Sequence, residues 1–253
     1  MKFSVDKENF TLGVNTVNKA ISTRTTLPIL ENIYMVIKND TLIIRGNDLE
    51  LGIEYKIPIQ ILEKDDIQGV LLKSNTLSDI LSKLSVNQLE ISINENYKAN
   101  IKADAIDFDI FGLPIDDYPQ FPGIDDTVTM SLKASMLQDL IKHTIISVSH
   151  DETKPFLNGI KIESLNSTCH FISTDGFRLS IKQETTETEI PEFSCIIPFK
   201  TMNELFKILG NLKTEMVTIC VSERQISFQT GECTIVSRLI NGRFPDYQQV
   251  IPK

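Results

Sequence analysis

Apolar side chains at Phe10, Val14, Val17 and Ile21 recur at i, i+4, i+7 and i+11, which places them on one face of a helix. A second stripe, Leu77, Ile80, Leu81 and Leu84, has the helical spacing i, i+3, i+4, i+7. Both stripes return later in the chain. The first reappears 127 residues on as Leu137, Ile141, Thr144 and Val148, the second 128 residues on as Leu205, Ile208, Leu209 and Leu212. The spacing predicts helices over 7–22, 74–85, 133–147 and 201–213, and Thr201 with Glu204 has the pattern of a capping box.

The register holds outside the helices. Leu27-Pro28-Ile29-Leu30-Glu31-Asn32-Ile33 is echoed by Lys154-Pro155-Phe156-Leu157-Asn158-Gly159-Ile160, and Tyr118-Pro119 by Phe244-Pro245 at an offset of 126. β-branched and alternating runs at 33–37, 41–45, 89–93 and 106–110 are separated by turn formers such as Asn39-Asp40. Their counterparts lie at 159–163, 169–173, 217–221, 225–229 and 233–239. A fixed long period is the mark of an internal duplication. Each copy reads βαβββαβββ, an α+β design in which two short amphipathic helices pack on one side of antiparallel sheets that continue between modules. The expected layout is module one over 1–121, a linker at 122–126 where acids, proline and Gly123 interrupt the periodicity, module two over 127–247, and a tail at 248–253.

Composition narrows the function classes. At 41% hydrophobic and 23% charged the chain reads as globular. No apolar run approaches the roughly 20 residues of a spanning helix, and the first residues lack the apolar core of a secretion signal, so a cytoplasmic location is expected. Cys169, Cys195, Cys220 and Cys233 form no CxxC pair and sit in strand-like runs, as small buried hydrophobes do. His143, His150 and His170 have no metal-ligand spacing, and neither metal nor cofactor is implied. The sequence lacks GxSxG and GxxxxGK, and the pairs Asp65-Asp66, Asp116-Asp117 and Asp125-Asp126 lie in turn-rich segments that suit solvated acids better than a two-metal centre. No enzyme is expected.

The net charge of −9 opposes a protein that wraps nucleic acid with its whole surface. On the four predicted helices, however, seven lysines oppose four acids, a net of +3 that leaves −12 elsewhere. A helix face of that sign tolerates phosphates without gripping them, although lysines also serve simply to solvate helices.

Four stretches in order, Arg24-Thr25-Thr26-Leu27-Pro28-Ile29-Leu30, Gly46-Asn47-Asp48-Leu49-Glu50, Ser173-Thr174-Asp175-Gly176-Phe177-Arg178-Leu179 and Gly242-Arg243-Phe244-Pro245-Asp246-Tyr247, resemble the bacterial sliding clamps, the beta subunits of DNA polymerase III. The resemblance implies the DNA clamp fold: three such modules per subunit and two subunits closed head to tail into a homodimer ring, with helices on the inner face and sheets outside. This chain supplies the first two modules, which is the pattern of a fragment. The resemblance also implies a non-catalytic processivity factor that encircles duplex DNA and tethers the replicative polymerase, the clamp loader and repair proteins through short peptide motifs.

Carried over position by position, the second-module wall of the peptide pocket would be Leu157, Thr174, Gly176, Phe177, Arg178, Leu179, Pro245 and Val250. The leucines, Pro245 and Val250 offer an apolar trough, Gly176 a close backbone approach, and Arg178 a charged rim. Phe177 stands where the family often has His or Tyr, a change that bears on motif preference. Taken alone, Thr174-Asp175-Gly176 also reads as an ordinary Asp-Gly turn. Facing DNA, Arg24 is the best individual candidate, with Lys7, Lys133 and Lys207 as members of a diffuse field. The counterpart loop His150-Asp151-Glu152 is too acidic for a phosphate contact. The competing reading is a peptide-binding scaffold with no DNA-encircling role, which a gene lacking a third module beyond Lys253 would favour.

Overall fold

The computed structural model describes residues 1–22, 25–63, 69–123, 128–186 and 190–251. The chain forms two compact units, the first of Met1–Pro122 with Glu232–Thr234, the second of Gly123–Gly231 with Ile235–Lys253.

The first unit runs β1 (Lys2–Asp6), α1 (Lys7–Val17), β2 (Asn32–Lys38), β3 (Thr41–Asn47), β4 (Leu51–Pro58), β5 (Gln60–Glu63), β6 (Gly69–Lys73), α2 (Ser74–Lys83), β7 (Gln88–Ile93), β8 (Lys98–Ala103) and β9 (Ile106–Phe111). Its strands are ordered β5-β1-β7-β8-β9 and β4-β3-β2-β6. The second unit runs β10 (Val128–Lys133), α3 (Ala134–Thr144), β11 (Gly159–Leu165), β12 (Thr168–Thr174), β13 (Leu179–Thr185), β14 (Phe193–Pro198), α4 (Phe199–Asn211), β15 (Met216–Val221), β16 (Gln225–Thr230) and β17 (Cys233–Arg238). Its strands are ordered β10-β15-β16-β17 and β13-β12-β11-β14.

The helical stripes bury as the periodicity requires. Phe10, Val14 and Val17 of α1, Leu77 and Leu81 of α2, Leu137 and Ile141 of α3, and Leu205, Ile208 and Leu209 of α4 are all in the core. Thr144, the polar member of the α3 stripe, is buried because its hydroxyl donates to the Leu140 carbonyl at 2.7 Å inside its own helix. The two prolines of the echoed loops each open a short 3-10 turn, Pro28–Glu31 and Pro155–Leu157. Fixed φ and a missing N–H suit proline to the first position of such a turn.

Two expectations need correction. The α+β class holds, but four strands rather than three separate the helices of the second unit, and five those of the first. The strands without a distinct pattern, such as β13 with its sequence LSIKQET, are half exposed and carry few apolar residues. The capping box also fails: α4 begins two residues earlier, at Phe199, and no side chain caps it. The buried Thr201 hydroxyl instead pairs with the Ser237 hydroxyl at 2.7 Å, and Glu204 accepts from Lys207 at 2.7 Å.

Candidate functional site

The turn between β12 and β13 is built by its own side chains. Thr174 donates its hydroxyl to the Arg178 carbonyl at 2.7 Å and accepts from the Gly176 amide at 3.1 Å. One Asp175 carboxylate oxygen accepts from the Phe177 and Arg178 amides at 3.0 Å each, and the other from the Arg178 guanidinium at 2.9 Å. Those two amides, and after them Arg178, hold the Asp175 carboxyl below the usual carboxylate range. Gly176 is favoured by its φ of +92°, a conformation L side chains rarely adopt, while a Cβ there would meet nothing within 4 Å. The glycine therefore permits a backbone conformation and does not relieve a close approach. Phe177, at the apex, is 100% exposed.

Beneath the turn, Leu157, Ile172, Ile196, Phe244 and Tyr247 form a buried apolar cluster, with Phe156, Leu179 and Ile240 partly buried against it. Tyr247 is tied down by a short hydrogen bond from its hydroxyl to Glu163. The Lys161 ammonium pairs with Glu163 and lies 5.3 Å from the Tyr247 ring centre and 5.9 Å from that of Phe244. Burial raises the Glu163 carboxyl, but the bonds from Lys161 and Tyr247 outweigh it and the net shift is downward. Burial, and then the bond to Glu163, pushes Tyr247 up to about 12. A depression of about 770 Å³ adjoins the ring, lined by Ile181, Gln183, Tyr247 and Ile251 among others.

Of the residues expected at the pocket, Leu157 and Leu179 share this cluster, and Thr174, Gly176, Phe177 and Arg178 make the turn above it. Pro245 is exposed beside buried Phe244. Val250, 67% exposed in the 3-10 turn Tyr247–Val250, does not join the cluster. Sequence reasoning missed Ile172, Ile196, Ile240 and the Tyr247–Glu163 lock. The signal available for Tyr247 was its place two residues beyond Pro245 in the quoted GRFPDY stretch.

The first copy answers the same plan differently. Asp48 supports its turn by accepting from the Glu50 and Leu51 amides at 3.0 and 2.7 Å, and Leu49, with φ +76°, occupies the position equivalent to Gly176. Where the second copy has Leu179, the first has Gly52, and the Phe121 ring comes within 3.0 Å of the place a Gly52 Cβ would take. The Arg45 guanidinium lies 5.2 Å from the Tyr34 ring centre and 5.1 Å from that of Phe121, and it bonds to Glu54 at 2.7 Å. An aromatic side chain of the unit itself thus packs at the counterpart of Leu179.

Lys7 is the first, half-buried residue of α1, Lys133 is exposed just before α3, and Lys207 is exposed on α4 but paired with Glu204. Arg24, Asp65, Asp66, Asp125 and Asp126 lie outside the described residues. The His150 ring meets Phe199 edge-on at 4.9 Å, and Asp151 accepts from the Thr153 amide and hydroxyl at 3.0 and 2.7 Å, which closes that loop on itself. Burial pushes the Cys169, Cys195 and Cys233 thiols up to about 12.

The DNA polymerase III beta subunit N-terminal domain matches residues 1–122 and the central domain of the same subunit matches 131–246. The beta sliding clamp of Bacillus subtilis is 32% identical over 100% of the chain and 68% of its own length. The chain belongs to the beta sliding clamp family. Members are accessory subunits of a DNA polymerase, with no catalytic activity of their own, and act in DNA replication. The crystal structure of the B. subtilis DNA polymerase sliding clamp superposes with a TM-score of 0.91 at 31% identity, covering 100% of this chain and 68% of that one. A Pseudomonas aeruginosa sliding clamp solved bound to griselimycin gives 0.92 at 27% identity with the same coverage. No described helix is long and apolar enough to cross a membrane.

Proposed function

We propose that the protein carrying this chain encloses duplex DNA in the cytoplasm as a homodimer ring and tethers the replicative polymerase, the clamp loader and repair proteins to it. The observation that carries the reading is the self-built turn Thr174–Leu179 over the Leu157–Tyr247 cluster in a chain of the clamp family. Partner peptides anchor one or two apolar side chains on Leu157, Leu179 and Pro245, while Arg178 and Phe177 meet the rest of the motif and Val250 adds apolar surface at the margin. Because the turn is held by five internal hydrogen bonds, docking requires little ordering of the protein. Tethering raises the polymerase's effective concentration at the template without tight contact to DNA. Arg24, Lys7, Lys133 and Lys207 contribute a loose field facing the duplex. β9 is an edge strand whose Ile106 and Phe111 are 53% and 80% exposed, the kind of edge a second subunit covers in ring closure.

Two measurements test this. The complete protein, loaded on nicked circular DNA, should slide off once the circle is linearised; equal retention on the linear form overturns the encircling mechanism and favours the scaffold. Leu179→Glu should abolish polymerase stimulation while ring mass and melting temperature stay unchanged, and undiminished stimulation would place docking elsewhere.

A further inference from the structure

The second unit carries a cleft on the far side of the apolar cluster from the turn's residues: Ile196, Ile240 and Phe244 line it, and none of Thr174, Gly176, Phe177, Arg178 and Leu179 does. It has a volume of about 1120 Å³, above the roughly 300–1,000 Å³ of a small-molecule pocket. Three arginines from three separate segments converge on it: Arg224 from the β15–β16 turn, Arg238 from the end of β17, and Arg243 from the segment that follows. All three are exposed, and among the described residues none forms an ion pair, in a chain whose net charge is −9. Lys161 at the same wall is neutralised by Glu163, and Glu223 is the one acid of the lining.

β14 lines the cleft through Ser194, Cys195 and Ile196, with its outer edge taken at Ile196 and open at Ser194. β14 is terminal in the order β13-β12-β11-β14, and the Ile240 amide donates to the outward Ile196 carbonyl at 2.9 Å. The two-residue period of a strand then turns the Ser194 amide and carbonyl to the same outer side. Among the described residues neither has a backbone partner, and Ser194 is exposed.

We propose that this cleft binds an acidic, extended segment of a partner protein, which adds a strand to β14 beside Ser194 and directs its carboxylates to Arg224, Arg238 and Arg243. The inference goes beyond the docking groove proposed above and does not depend on it. Charge complementarity selects the sign of the ligand: guanidinium groups favour carboxylates through paired, charge-assisted hydrogen bonds. The open backbone edge selects a peptide over a nucleic acid, because strand addition needs amides on both sides. Single-stranded nucleic acid is held by stacking on exposed rings, and Phe244, the aromatic residue of the lining, is buried.

The test uses the complete protein and a fluorescein-labelled octapeptide of alternating Glu and Val, read by fluorescence anisotropy. The acidic peptide should bind at least tenfold more tightly than its Lys–Val counterpart. The R224E/R238E/R243E variant should lose at least tenfold in affinity for it, with melting temperature and polymerase stimulation unchanged. N-methylation of the peptide at alternate residues on its bonding edge should weaken binding at least fivefold, whereas Leu179→Glu should leave it unaltered. Equal binding of both peptides, retained binding by the triple variant, or indifference to N-methylation overturns the proposal. So does an octathymidylate that binds as tightly as the acidic peptide, which would make the cleft a nucleic-acid site. Should the triple variant fail to fold, the N-methylated peptide against the unaltered protein decides.

Discussion

At the scale of the residue, the second unit is organised around single polar atoms that fix apolar ones. Tyr247 fills the cluster with its ring and reaches Glu163 with its hydroxyl, so one side chain joins the core to a strand. A hydrogen bond to a charged acceptor contributes about 1.5–3 kcal/mol, this one is only partly buried, and Lys161 still pairs with Glu163 when the donor is removed. Tyr247→Phe is therefore expected to lower stability by about 1–2 kcal/mol in urea titrations. The sign with pH follows from the raised folded value. The contribution is complete below the unfolded tyrosine range near 10 and is lost as pH rises through about 12, a loss the Phe variant should not show. Asp175 is the opposite case: its depressed carboxyl supports the turn above the ordinary aspartate range and releases it as pH falls through the folded value. The Asp175 lock is local and its Asp-Gly turn is legible in the chain, whereas the Tyr247 lock is not, because Glu163 and Tyr247 are 84 residues apart and nothing local pairs them.

At the scale of the element, the duplication is also a record of how two copies diverged. Helix stripes, 3-10 turns and the Asx-type turn are common to both, since each depends on local spacing. What packs against the position of Leu179 is not common to both, since it depends on residues distant in the chain. Gly52 admits the Phe121 ring in the first copy, where the second has Leu179. Replacing Gly52 with Leu should push that ring out and destabilise the first unit by about 1–3 kcal/mol, the usual cost of overpacking, measurable as a shift in the urea midpoint. A midpoint at the unsubstituted value would mean that Phe121 has room to move without loss. The structure has more strands than the pattern predicts because half-exposed strands such as β13 alternate too weakly to stand out from loops. The misplaced cap arose because Thr201-x-x-Glu204 has the right spacing inside a helix that starts earlier.

At the scale of the whole molecule, a chain of net charge −9 that belongs to a DNA-enclosing family should hold DNA by topology and weak fields. A protein gripping six to ten phosphates loses about 10³–10⁵ in affinity between 50 and 200 mM salt, and a ring that grips none should change its dissociation rate from closed circles by less than about threefold. The measurement is the lifetime of the loaded, complete protein on nicked circles across that range. A hundredfold change would show that lysine contacts carry the retention.

The sequence by itself determined the duplication, the α+β class, the four helical faces and the apolar identity of Leu157 and Leu179, because periodicity and composition are local properties. Tertiary structure alone decided that Tyr247 bonds to Glu163, that the Phe121 ring packs at Gly52 in the first copy, and that Arg224, Arg238 and Arg243 converge on one cleft. Those outcomes depend on atoms brought together from distant segments by burial of the shared core, and no spacing along the chain encodes a distance across it.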